Sequence, residues 1–200
     1  MKVRKENGFL SFLINGVDQG MAATNVPENV YGVIDLYGQA AQVSIVHSSE
    51  NNRGSRDQFC SNVDMENAST NISDNFPIHS SNSETLFGGD LRFHYLHGRN
   101  AKVSNNGLTA SRPNALGEFN AAIVTSSRPL RDNEIFEVVI ERMVDRWSGN
   151  IEAGITTIRP EELIFPNTMT DIGKSFISFL QSLVVAMVVM VAEHAVSEIR

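Results

Sequence analysis

A chain of 200 residues with 42% apolar content holds enough for one packed domain, or for one domain with loose ends. Its formal net charge of -7 works against non-specific binding to nucleic acid or anionic lipid, because nothing offsets repulsion from phosphate. The lone cysteine, Cys60, excludes an intrachain disulfide and every multi-cysteine zinc site, and the opening MKVRKENG has no apolar continuation of the kind a signal peptide needs; a reducing, cytoplasmic setting is expected.

In chain order, residues 9–46 read as β-structure. FLSFLI runs to a turn at NGVDQG, and VYGVIDLYG and QAAQVSIV follow. The runs are short, rich in Val, Ile, Phe and Tyr, and punctuated by Gly and Asn. Within QVSIV, Val43 and Ile45 fall on one face and Gln42 and Ser44 on the other, the period of a half-buried strand. Residues 47–90 change character: nine Ser, seven Asn and seven acids against two Arg, with no apolar periodicity. Such a stretch buries too little to repay its ordering entropy and reads as a disordered linker. Its two Asn-x-Ser triplets, at Asn67 and Asn71, are the chance yield of an Asn/Ser-rich tract.

Strand patterns resume at residue 91: LRFHYL, a turn at HGRN, AKVS, a turn at NNG, LTASR, FNAAIVTS, a turn at SRPLRDNE, IFEVVIERM, the turn DRWSGN, and IEAGITT. In the last of these Ile151, Ala153 and Ile155 share a face, opposite Glu152, Gly154 and Thr156. Turn signals every eight to twelve residues with no long helical period define an all-β sandwich. Residues 173–200 form an apolar tail. Its uncharged run 176–192 is near the lower limit for a membrane span, a minority reading, and its Val-rich second half would serve equally as a strand filling a gap in a sheet.

A search for chemistry finds little. His94 and His97 would point to opposite faces of a strand, which disfavours joint metal ligation. Glu161 and Glu162 follow Arg-Pro as the first turn of a short helix would, where carboxylates suit the dipole. No Gly-rich phosphate loop follows a strand; no cofactor and no metal are expected. A rigid sandwich offers partners its end loops, so the candidates for protein binding are Gly98, Arg99 and Asn100 in HGRN, Arg128 and Arg131 in SRPLRD, and Arg146 and Trp147 in DRWSGN. Arg and Trp are favoured contact residues, yet each is also an ordinary turn residue, and a tryptophan beside a tight turn commonly anchors a corner.

The residues 91–172 carry further signatures: HG-N-A-VSNNG-TA, F-AAIV-S-RPL, E-FEV-I, WSG-IEAGITT and RPEEL. This stretch resembles the first part of a neuralized homology repeat, and residues 8–46, with FLINGVDQG, resemble the last part of one. The resemblance implies a SPRY- or concanavalin-like antiparallel β-sandwich acting as a protein-interaction module. In that family such repeats recruit Notch ligands for ubiquitination where a catalytic ring is present, and centriolar or ubiquitin-ligase partners in a ringless member. With one cysteine there is no zinc-bound ring here, so a non-catalytic adaptor, cytoplasmic or centriolar, is implied. Glycan binding by a concanavalin-like sandwich is the alternative from another class, and a non-functional fragment is a third.

The implied order is the C-terminal part of one repeat (1–46), a linker (47–90), the N-terminal part of the next (91–172) and a tail that departs from the family (173–200). Two outcomes follow. Either 8–46 folds back across the linker and pairs with 91–166 in an incomplete, circularly permuted sandwich, or the two parts stay apart. Loop closure over this length costs little, because the cost grows with the logarithm of length.

Overall fold

The computed structural model describes residues 1–47, 90–149 and 151–172, and the backbone of 184–190. Among the described residues eleven strands form two antiparallel sheets. In chain order they are β1 (Lys2–Glu6), β2 (Phe9–Ile14), β3 (Val17–Ala23), β4 (Tyr31–Leu36), β5 (Ala40–Val46), β6 (Lys102–Ser104), β7 (Thr109–Ser111), β8 (Ile123–Thr125), β9 (Ile135–Met143), β10 (Ile151–Thr156) and β11 (Val184–Met190). One sheet has the order β3-β2-β1-β9-β5-β7-β6, the other β11-β10-β4-β8.

Both sheets interleave the two chain segments. The ladder of β9 lies between β1 and β5, and β4 lies between β10 and β8. Phe12 and Val43 from the first segment share one core with Phe136, Val138 and Ile151 from the second. The segments therefore fold as one sandwich, and neither sheet exists without both. Residues 48–89, including Cys60 and nearly all of the expected linker 47–90, lie outside the described residues.

Several sequence expectations hold in detail. Val43 and Ile45 are buried while Gln42 and Ser44 are half-exposed, and IFEVVIERM coincides with β9. Others are corrected. Residues 15–20 do not form one long turn: Asn15 and Gly16, at φ 51° and 81°, make a two-residue reversal, and β3 starts directly after it. Positive φ at both positions is the I′ geometry that suits strand twist, so two residues suffice. Residues 91–96 are not a strand. Phe93 makes an isolated bridge with Ser126, because the segment shuttles its hydrogen bonds between Gly107 and Thr125 instead of running beside one neighbour. Likewise β8 keeps only the middle of FNAAIVTS, since Ala121 at φ 62° breaks the extended run.

The expected helix at Glu161 and Glu162 is a turn. Leu163 leaves it to join Val33, Ile123, Met169 and Ile172 in a second cluster on the outer face of the smaller sheet. That cluster also explains why Gly154 and Thr156 are buried along with their neighbours in β10: both faces of this strand are covered. In the tail, β11 pairs with β10 from Ile151↔Met190 to Thr156↔Val184, so 184–190 is a sheet strand rather than part of a membrane helix. Among the described residues no helix is long and apolar enough to cross a membrane.

Candidate functional site

The sequence-selected residues fall at opposite ends of the sandwich, because β9 separates the turn before it from the turn after it. Gly98, Arg99, Asn100, Arg146 and Trp147 gather at the end where β5 starts and β9 stops; Arg128 and Arg131 lie at the other.

At the first end a hydrogen-bonded web joins four loops. Trp147 is half-buried, and its indole Nε1–H donates to the carbonyl of Ala115 at 2.7 Å. Its ring stands 5.8 Å from that of Phe119, and the Arg146 guanidinium sits 5.0 Å above it. The tryptophan is thus a corner anchor, as its position beside a turn suggested. Asn100 is buried, donating to the carbonyl of Asn120 at 3.1 Å and accepting from the backbone N–H of Asn114 at 3.3 Å. Gly98 is required by close approach, since a Cβ there would stand 2.6 Å from the Ala121 carbonyl oxygen. Arg99 is exposed and forms a two-pronged pair with Glu118.

Composition did not single out Leu116 and Phe119, in the 112–121 loop, yet they are 59% and 47% exposed beside Trp147. The available signal was their apolar character inside a turn-rich stretch, PNALGEFN. At the start of this loop Arg112 is fully buried, donating through Nη2 to the Gly38 carbonyl, while among the described residues its Nε and Nη1 have no partner. Asp35 and Glu152 face each other across β4 and β10 nearby. Burial raises the Asp35 carboxyl to about 7, helped by the Glu152 charge and opposed by the N–H of Met169 and by Arg112.

At the second end Arg128 grips Glu134 through two bonds of 2.8 and 2.6 Å, and the backbone N–H of Arg131 donates to the same carboxylate at 2.9 Å. Burial alone would raise Glu134, but the hydrogen bonds and charges of Arg128 and Arg131 outweigh it and leave its pKa below the ordinary value. A cleft of about 600 Å³ opens here, lined by Lys5, Val26, Glu28, Pro129, Leu130 and Arg131 among others. Of the histidines, His94 is buried and pairs with Glu161 at 3.1 Å, whereas His97 bonds the carbonyl of Gly98, so the two do not converge. Among the described residues no three His, Cys, Asp or Glu side chains gather as a metal site.

Fold and ends together define an antiparallel β-sandwich whose apolar and cationic residues are presented on connecting loops. A family model described as Neuralized matches residues 2–47 and 93–195. The chain belongs to the Neuralized family. It is 31% identical to "Protein neuralized" of Drosophila melanogaster over 129 residues, which is 62% of this chain and 17% of that protein. Over 73 residues, 36% of this chain and 9% of the relative, it is 37% identical to "Protein neuralized" of Drosophila virilis. The chain therefore spans less than a fifth of the length of these relatives. No solved structure matches it.

Proposed function

We propose that the chain is a non-catalytic protein-interaction module that recruits partner proteins through its end loops, in ubiquitin-ligase-linked pathways. The observation that carries this reading is the exposure of Leu116 and Phe119 beside Trp147 and Arg146 on loops held rigid by the sandwich. Aromatic and Arg anchors surrounded by polar groups are what protein interfaces use. Rigid loops reduce the ordering cost of binding. Membership of the Neuralized family supports the same reading, with Notch ligands or centriolar proteins as the partner classes to test first and the residues Gly98, Arg99, Asn100, Arg128, Arg131, Arg146 and Trp147 as the loop positions to scan.

The test is a double change of exposed residues, Leu116→Ser with Phe119→Ser, followed by quantitative recovery of partner proteins from cell extract. Recovery is expected to fall about tenfold with the melting temperature unchanged, since exposed hot-spot residues act on binding rather than folding. Equal recovery by both forms would remove this end from the interface.

A further inference from the structure

Lys5 lies on the same face of β1 as Val3, and both are buried. Its side chain runs through the end of the core with only 3% of the residue exposed, and its Nζ donates to the backbone carbonyl of Glu28 at 2.7 Å. An ammonium carries three donors, and lysines are almost never this deeply buried without a counter-ion. Yet no carboxylate among the described residues lies within ion-pair distance of it. The two nearest acids in sequence along the opposing loop are engaged elsewhere: Asp132 accepts the N–H of Asn7 through both oxygens, and Glu134 is held by Arg128.

This cation lines the 600 Å³ cleft, whose other walls include Val26, Pro129 and Leu130 and whose rim carries Glu28, Arg131 and Asp132. That volume lies in the range of small-ligand and side-chain sites. The mixed rim and the net charge of -7 disfavour a polyanion such as nucleic acid, whereas one carboxylate borne on an apolar stem matches both wall and base. We propose that the cleft receives an Asp or Glu side chain from an extended segment of a partner protein. Its carboxylate accepts hydrogen bonds from Lys5 Nζ, and an adjacent apolar residue lies over Val26 and Pro129. The assignment rests on the protein-interaction reading above and specifies the chemistry of what is bound.

The test uses the full chain labelled with 13C-lysine and three probes: the blocked peptide acetyl-Gly-Leu-Glu-Gly-amide, its Gln counterpart, and the Gln peptide with a free C-terminal carboxylate. The Lys5 ε-methylene signal is expected to shift with the Glu peptide and not with the blocked Gln peptide. Lys5→Met is expected to weaken Glu-peptide binding about tenfold or more, because a charge-assisted bond is lost. If that variant does not fold, the Glu-against-Gln difference in the unaltered chain decides alone. Equal binding of both blocked peptides, or no Lys5 response at millimolar Glu peptide, overturns the assignment; a response only to the free C-terminus overturns the side-chain class. Should Lys5→Met recover partner proteins from extract as well as the unaltered chain, the Lys5 site falls while the interaction reading stands.

Discussion

The two ends of the sandwich place their cations differently. At the Trp147 end the exposed cations are answered locally, Arg99 by Glu118 and Arg146 by the indole face, and Leu116 and Phe119 stand outside. At the Lys5 end Val26 and Leu130 are covered, and among the described residues the buried Lys5 has no counter-ion. The difference teaches that exposure alone is a poor guide to function in a loop-bearing sandwich. An exposed Arg99 with a bidentate partner has little reason to leave it, whereas a buried Lys5 has strong reason to accept one.

The contrast can be broken at its strongest point first. Trp147→Ala removes the ring that joins the 112–121 and 144–149 loops together with its bond to Ala115, and is expected to cost about 3 kcal/mol, read as a fall in denaturation midpoint. An unchanged midpoint would mean that the corner is not held by the indole.

The next effect is pH dependence from Asp35. A carboxyl whose folded-state pKa lies above its unfolded one binds its proton more tightly when folded, so its contribution is full below the unfolded value and is lost as pH rises through the folded one. For Asp35, raised from 3.8 to about 7, stability should decline across that window, and Glu152, also raised by burial, acts in the same direction. Asp35→Asn is expected to flatten this decline and to stabilise the chain at pH 8 by about 2 kcal/mol. Denaturant titrations at pH 5 and 8 measure it; parallel curves for the two forms would show that Asp35 is already charged.

At the other end, Arg128→Met takes the two-bond partner from the half-buried Glu134, leaving it the N–H and charge of Arg131, and costs about 1–2 kcal/mol near neutral pH. Because Glu134 is depressed in the folded state, its contribution is present above its unfolded value and lost as pH falls through the folded one; the variant should therefore lose less stability on acidification than the parent. The smallest expected effect is that of Arg99→Ala, whose side chain is 63% exposed: its melting temperature should match the parent within scatter, and a clear fall would give this pair a structural weight that exposed ion pairs do not normally have.

How much of this was legible beforehand differs by element. The ends of β9 and the alternation in β5 could be read directly, because a half-buried strand writes its period into the sequence. β1 was not legible: KVRKE is charged and has no apolar run, and only its pairing with β2 and β9 shows that Val3 and Lys5 form its inward phase. The Lys5 site was hidden for the same reason, since a lysine at an apolar phase of a polar stretch gives no sign of burial. β3 was hidden for a related reason: VDQGMAA is exposed along nearly its whole length and is a strand by backbone pairing to β2. Of the candidate loop residues, the corner role of Trp147 could be anticipated from its turn. Leu116 and Phe119 could not, because apolar residues in a loop are distinguishable from core residues only by which way the loop is tied down.

The amino-acid sequence by itself determined the β class, the positions of the tight Asn-Gly reversals, the half-buried strands β5 and β9 and the family, since each depends on short-range periodicity, on backbone preference or on motif strings. Only the tertiary structure decided that residues 1–47 and 91–156 build the same two sheets, and that the Val-rich tail supplies an edge strand beside β10. It also decided that a lysine near the N-terminus lines a cleft whose far wall, residues 128–132, comes from more than a hundred positions away. Those outcomes depend on which strands find each other across the chain, and long-range pairing is set by the complementarity of buried faces rather than by any local pattern.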